Sequence, residues 1–404
     1  MTKYSSLIQH WHLDHETTFI NHGSYGACPK TILEQQTQIR QELERQPVRF
    51  FTHELLPRMD AVRVRLGSFL KTEANTLALI PNATQGVNTV LRTYPLEAGD
   101  EVIVTNHGYN ACNNAASFIA KERGACIKTA TLPYPVQSSD QIVDAIESAI
   151  TPQTKLAIID HITSPTAVVT PIGEIVECLD KKGIDTLVDG AHAPGQIPID
   201  LQTIGAAYYT GNCHKWLCTP KGSAFLYVRE DKHHEVRPLA ISHGANAPVG
   251  ERSFFRNEFD WQGTHDPTAH MVIPAAIDLL GSWMEGGWDE IQSSNHVLAL
   301  KARDVLCEAL QISLPVPDTL FGSMVAIPLN PEVLPGGFPN AGLQKILMDD
   351  YRIEVPVFDQ PYSPIKTLRI SAQLYNHLSQ YEHLALALCE IQKSQNIQLG
   401  FGHE

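Results

Sequence analysis

Several things are missing from this 404-residue chain, and each absence excludes something. No apolar run approaches about 18 residues, the least that crosses a bilayer as a helix, so no membrane partner is expected. No CxxC pair occurs. The eight cysteines are scattered, which in a chain this long reads as reduced thiols in a cytoplasmic protein. No leader of basic, then apolar, then small residues opens the chain, so export lacks support. Basic residues are in the minority, 30 Lys and Arg against 44 Asp and Glu. The net charge of −14 argues against nucleic acid as a partner. Neither GxGxxG nor GxxxxGK[ST] is present, which argues against a nucleotide-binding chain. The 18 histidines include no HExxH or comparable ligand spacing, so no metal is expected and a metal hydrolase is the weakest reading. His10, His12 and His15 sit in a polar terminal arm, where solvation is the ordinary state.

What is present suits a globular enzyme: 43% hydrophobic and 18% charged residues, with length enough for two domains and a sizeable core. The informative stretch is residues 184–216. The apolar run Thr186-Leu187-Val188 ends in Asp189, and small residues with Pro follow, as in a loop leaving a strand. A second run, Ala206 to Tyr209, leads into Thr210-Gly211-Asn212-Cys213-His214-Lys215-Trp216. An acid and a lysine thus each follow a strand that reads as buried. Taken singly they are a turn acid and a surface lysine. Together with His192, Asn212 and His214 they suit pyridoxal 5′-phosphate, which needs a lysine amine for its Schiff base and a carboxylate beside its ring nitrogen.

DGAHAPG followed by GNCHKW resembles the cofactor-lysine region of class V aminotransferase-like enzymes, above all the isopenicillin N epimerase-like branch. Cysteine desulfurases share this scaffold. The resemblance implies an α/β chain of the PLP-dependent transferase fold type I. A large domain with a mainly parallel sheet flanked by helices is joined there by a smaller C-terminal α+β domain. The corresponding boundaries are an arm at 1–25, the large domain at 26–266 and the small domain at 267–404. It also implies Lys215 as cofactor lysine and general base, Asp189 at the ring nitrogen and His192 at the ring hydroxyl. Asn212 and His214 fall on the phosphate side.

The remaining motifs are weighed with that likeness in view. Asn21-His22-Gly23-Ser24-Tyr25-Gly26-Ala27-Cys28-Pro29 reads as a fixed turn before an amphipathic helix carrying Ile32, Ile39 and Leu43. The string resembles the opening signature of the epimerase-like branch, which implies a substrate-side role for Asn21, His22 and Tyr25; a plain connecting loop is the other reading. Leu77–Ile80 reads as a strand turned by Pro81-Asn82-Ala83-Thr84-Gln85-Gly86 into a helix. Its N–H groups suit a phosphate, although an ordinary cap by Asn82 or Thr84 explains the same residues. The resemblance assigns Ala83 and Thr84, then Gln85, to the cofactor phosphate. After the strand Val102–Thr105, Tyr109 takes the place of a side chain stacked on the cofactor ring, with His107 as rival; alone, Tyr109 reads as a core or loop aromatic. The strand Leu156–Asp160 precedes HITSPTAVVTPI, where Ser164 stands at a position that desulfurases fill with Asn near the ring hydroxyl.

A helix from Ile172 to Lys182 stops at Gly183. From about residue 75 to 230 strands and helices alternate, the pattern of an open sheet with a crevice at its strand ends. Gly263-Thr264 resembles the step whose Thr reaches the cofactor phosphate of another subunit, which implies a homodimer with shared sites; a capping Thr is the bland reading. Helical stretches run from Ala269 to Leu310, and Pro328 to Pro339 reads as a loop. Arg369 lies in an alternating strand, Thr367–Ser371; in the family the matching arginine grips the substrate carboxylate with a planar two-pronged contact.

These residues imply abstraction of the Cα proton of an amino acid. Epimerisation, C–S β-elimination from a cysteine conjugate and transamination remain open. Desulfurases carry a nucleophilic Cys on a loop shortly before the carboxylate arginine. Here no Cys lies between Cys307 and Cys389, which disfavours persulfide formation. Epimerisation needs a second proton donor, with His22 and Tyr25 as candidates. A non-catalytic scaffold retaining the cofactor fold is the reading from another class.

Overall fold

Runs of Leu, Ile and Val only four to seven residues long are too short for stable helices and pair instead as strands covered on both faces. The structure, a computed structural model, describes residues 4–248, 250, 252–314, 316–329, 340–359 and 366–400. In chain order the strands are β1 (Thr18–Phe19), β2 (Leu77–Ile80), β3 (Glu101–Thr105), β4 (Cys126–Ala130), β5 (Thr154–Asp160) and β6 (Asp185–Asp189). They continue with β7 (Tyr208–Asn212), β8 (Ala224–Val228), β9 (Met324–Leu329), β10 (Ile353–Glu354), β11 (Val357–Asp359) and β12 (Lys366–Ser371).

Seven of them form one sheet in the order β2-β8-β7-β6-β5-β3-β4. Only β8 runs against its neighbours. The carboxyl ends of β2, β3, β5, β6 and β7 therefore share one edge, where an open α/β sheet forms its crevice. A second, antiparallel sheet has the order β11-β12-β9. The pair β1 and β10 ties the beginning of the chain to its last hundred residues.

The helices between strands are amphipathic and bury one stripe each, as with Val87, Val90 and Leu91 of Ala83–Thr93 and Ile172, Ile175, Val176 and Leu179 of Ile172–Asp180. Gly86 lets the first of these lie directly on the sheet, since a Cβ there would stand 2.3 Å from Thr210 Oγ1.

Several expectations hold closely and some shift. The Leu77–Ile80 strand is reproduced. The strand before the lysine runs Tyr208–Asn212 rather than Ala206–Tyr209, because Thr210, Gly211 and Asn212 stay paired with β8 although they are polar or small. The Ile172 helix ends at Asp180, and Gly183 follows with φ +70°. Arg369 lies in a strand as expected, but the strand does not alternate: Thr367 through Ser371 are all buried. Pro328 belongs to β9, and 330–339 of the expected loop lie outside the described residues. The exposed edge strand β4 carries no strong apolar pattern and was not foreseen. His10 stacks on Trp283 at 4.9 Å. Among the described residues no three His, Cys, Asp or Glu are grouped to hold a metal, and no helix is long and apolar enough to cross a membrane.

Beneath β2, Arg63 is buried and donates to the Leu77 carbonyl at 3.0 Å and to Asp260. Asp260 also holds Arg252 at 2.7 Å and Arg256 at 3.0 Å, and Asp60 joins the same arginines. Burial pulls the Arg63 guanidinium down to about 10, and Asp260 opposes that pull. Removing one partner of a buried ionic cluster strands the other's charge. Asp260→Ala should therefore cost about 3 kcal/mol in reversible denaturant unfolding. A loss indistinguishable from that of a surface substitution would remove the cluster from the stability of the fold.

Candidate active site

The shared strand edge opens into a cleft of about 150 Å³. Lys215, in the turn after β7, reaches it, as do Asp189 at the end of β6 and Asp160 at the end of β5. The Lys215 Nζ lies 3.0 Å from His192 Nε2. Burial, then the nearby Arg369 charge, pulls the Lys215 amine down to about 7, while Asp189 and Asp160 oppose the shift. Near neutral pH a large share of this lysine is therefore the free base. Burial also keeps His192 well below the ordinary histidine range, so the ring is neutral and its Nε2 accepts from the lysine. The ring proton then sits on Nδ1, which is buried and has no protein partner.

Asp189 receives the Ala191 N–H at 3.0 Å on one oxygen and the Cys112 thiol at 3.0 Å on the other. Burial and Asp189 raise the Cys112 thiol far above its usual range, so it stays a donor. Asp160 is the register partner of Asp189 on the adjacent strand. Burial first, and then Asp189, push the Asp160 carboxyl well above the usual carboxylate range. Two acids therefore face the cleft side by side. Asp160 was not singled out from sequence, although the run Leu156-Ala157-Ile158-Ile159 ending in an acid repeats the pattern that marked Asp189.

At the other end of the cleft the helix Ala83–Thr93 points its first turn inward. Two of its N–H groups are committed. Ala83 donates to Asn212 Oδ1 at 2.8 Å, and Gln85 donates to the capping Asn82 Oδ1 at 2.9 Å. Thr84 and Asn212 line the cleft with His214, whose Nδ1–H goes to the Ser223 carbonyl at 3.0 Å. Gln85 is not among the lining residues. Tyr109 lines the wall ahead of a helix starting at Asn110; His107 is buried, 3.0 Å from Thr166 Oγ1, and does not reach the cleft.

Arg369 stands behind this wall rather than in it. Its Nη1 donates to the Ser164 carbonyl at 2.6 Å and hydroxyl at 3.1 Å, and its Nη2 to Ser24 Oγ at 3.2 Å. Ser164 and Ser24 both line the cleft. The guanidinium is buried, lies 5.0 Å over the Phe358 ring and has no carboxylate partner among the described residues. Tyr25 is on the cleft wall and 77% exposed. Asn21 accepts from Ser24 at 2.5 Å but lines an adjoining groove instead. His22 is fully buried with both ring nitrogens engaged, and Thr264 is exposed outside the cleft of its own chain.

This donor set fits pyridoxal phosphate. It offers a half-neutral amine, a carboxylate, an uncommitted Thr84 N–H at a helix start, a buried orphan donor on His192 and a buried guanidinium lacking an anion.

The chain matches the family described as Aminotransferase class-V over residues 28–331. It is 32% identical to isopenicillin N epimerase of Amycolatopsis lactamdurans, covering 97% of this chain and 99% of that one. It is 30% identical to a probable chloroplastic L-cysteine desulfhydrase of Arabidopsis thaliana, covering 93% and 83%. A solved structure of a C-DES variant, with glycine covalently linked to its PLP cofactor, superposes with a TM-score of 0.78 at 19% identity, over 93% of this chain and 97% of that one.

Two measurements follow from the charges. Covalent uptake of added pyridoxal phosphate at Lys215 needs the neutral amine, so its rate should rise with pH through about 7 and then level. A midpoint near an ordinary lysine value of about 10 would contradict the burial of this amine. Asp160→Asn keeps a hydrogen-bonding group of the same shape and should retain activity within a few-fold, whereas Asp189→Asn should lose about 100-fold or more. Equal losses would overturn the unequal roles of the two acids.

Proposed function

The chain belongs to the class V aminotransferase family, a pyridoxal phosphate-dependent family, and from that premise we propose that it is an isopenicillin N epimerase-like enzyme that removes and returns the Cα proton of an amino acid. The observation carrying this reading is the Lys215 amine, held near neutrality 3.0 Å from a neutral His192 in a cleft walled by Asp189. Lys215 would hold the cofactor aldehyde, Asp189 its ring nitrogen, His192 its ring hydroxyl and Tyr109 its ring face. Ala83, Thr84, Asn212 and His214 would hold the phosphate. Bound there, the cofactor supplies an electron sink that acidifies the Cα–H bond.

The chain's own groups supply the proton handling. The Lys215 Nζ, as free base, takes the proton from Cα, and His192 Nε2 accepts a hydrogen bond from the same nitrogen and steadies it. Arg369 provides the only guanidinium next to the cleft wall among the described residues, and it would orient the substrate carboxylate across Ser24 and Ser164. Return of the proton to the opposite face calls for a second donor. Tyr25 is on the wall and accessible, whereas both nitrogens of His22 are occupied, which favours Tyr25.

The C–S lyase reading is supported by the desulfhydrase relative, since elimination needs no acceptor thiol. Persulfide chemistry is disfavoured: among the described residues no cysteine lines the cleft, and Cys112 is bound to Asp189. Transamination is the remaining fate of the same carbanion.

A homodimer with shared sites is part of the proposal. An exposed Thr264 outside its own cleft and a 77% exposed Tyr25 at the cleft wall support a second copy there. We place the domain boundaries at 1–25, 26–266 and 267–404, in keeping with one sheet drawn from 77–228 and another from 324–371. A cytoplasmic site of action is in keeping with eight free cysteines.

Purified protein should show a visible absorbance band from covalently held pyridoxal phosphate, and Lys215→Ala should lose it. On a panel of amino acids, peptides and S-substituted cysteines in heavy water, the epimerase reading expects deuterium at Cα with inversion and no pyruvate. Pyruvate with release of sulfide or thiol would move the assignment to the lyase, and keto acid without sulfur release to the aminotransferase.

A further inference from the structure

We propose that His22 is a positioning residue for Lys215: it hydrogen-bonds the lysine's backbone carbonyl and fixes the turn from which the amine projects. The inference rests on the role proposed for Lys215. The His22 ring is fully buried, its Nε2 3.0 Å from the Lys215 carbonyl oxygen and its Nδ1 2.8 Å from the Tyr375 hydroxyl. A carbonyl only accepts, so Nε2 carries the hydrogen and Nδ1 accepts the Tyr375 O–H. The relay runs in one direction, from Tyr375 through His22 to Lys215. Both nitrogens are used, and His22 does not line the cleft, so it acts through Lys215 and not on a substrate.

The lysine needs such a prop. Strand β7 ends at Asn212, and beyond it the N–H groups of Cys213 and His214 share one carbonyl, that of Ser223. Lys215 then sits in a turn closed by the Cys218 N–H to its carbonyl at 3.1 Å. His22 adds the second bond to that oxygen from a segment distant in sequence. Trp216 packs against the His22 ring at 4.8 Å between centroids. Gly26, at φ +71°, closes the contact: a Cβ there would stand 2.1 Å from the His214 carbonyl oxygen and 2.9 Å from Lys215 Cα.

The same turn holds the other end of the site. The Gly23 N–H goes to Ser371 Oγ at 3.0 Å, and Ser24 Oγ takes Arg369 Nη2. Five residues therefore clasp the lysine turn on one side and the arginine strand on the other, and they set the spacing between amine and guanidinium.

The test compares His22→Ala, His22→Gln and Tyr375→Phe by the rate of covalent pyridoxal phosphate uptake, its pH midpoint, and kcat against KM. His22→Ala should slow uptake and lower kcat about tenfold, the worth of one buried hydrogen bond, with KM little changed. His22→Gln places an amide N–H where Nε2 stood and should recover most of the loss. Tyr375→Phe, which keeps the packing, should lose a few-fold in the same direction. The uptake midpoint should stay near 7 in all three, since burial and Arg369 set it. Wild-type rates in both His22→Ala and Tyr375→Phe overturn the proposal, as does failure of Gln to outperform Ala. A shifted midpoint would instead make His22 an acid–base partner. Should His22→Ala not fold, the Gln and Phe variants decide alone. Absence of uptake in the wild type would strike the proposed function itself, whereas altered variants of a competent wild type bear only on His22.

Discussion

Everything at the strand edge depends on how much charge the cleft tolerates. Lys215, Arg369, Asp189 and Asp160 are all withdrawn from water, where unlike charges attract strongly and unpaired ones are costly. Burial holds the Asp160 carboxyl well above its ordinary range and pulls the Lys215 amine and the Arg369 guanidinium below theirs, which leaves the amine poised between its two forms. Asp189 and Asp160 favour the ammonium form of the lysine, and burial with the Arg369 charge outweighs them.

Histidine supplies the complementary half of that economy. His22, His107, His161, His192, His214 and His270 are all driven below their ordinary range by burial. Neutral rings orient neighbours without adding charge. His192 steadies the amine, His22 the lysine backbone, and His214 the Ser223 carbonyl. A cationic histidine at any of the first three positions would depress the lysine further and compete with Arg369 for an anionic substrate.

The sequence was most legible where apolar runs end in a functional residue. β2 read off directly, and Asp189 and Lys215 stood out because each follows such a run. Legibility failed where polar residues are buried. Thr210 and Asn212 lie inside β7 because β8 pairs with them, and hydrophobic pattern cannot announce that. The covered second face of β12 was hidden for the same reason, and so was Asp160, whose importance comes from its register with Asp189. Arg369 was found through its resemblance to relatives, yet its bonds to Ser164 and Ser24 come only from the fold. His22 drew notice for its place in the NHGSYG string; its contact with the Lys215 carbonyl spans nearly two hundred residues of chain and has no sequence signal.

The two sheets divide the chemistry between them. The seven-stranded sheet presents the amine, both acids and the helix start, and the three-stranded sheet presents the guanidinium from β12. Ser164 and Ser24 bridge that division, each bonded to Arg369 and each on the cleft wall. A carboxylate reaching Arg369 must share or displace these hydroxyls, so the arginine's reach into the cleft is set by two short side chains. Proton removal is built into the large sheet, where the lysine sits. The 21–26 turn touches both sheets' contributions, through His22 to the Lys215 carbonyl and through Ser24 to Arg369, so it fixes the distance between amine and guanidinium.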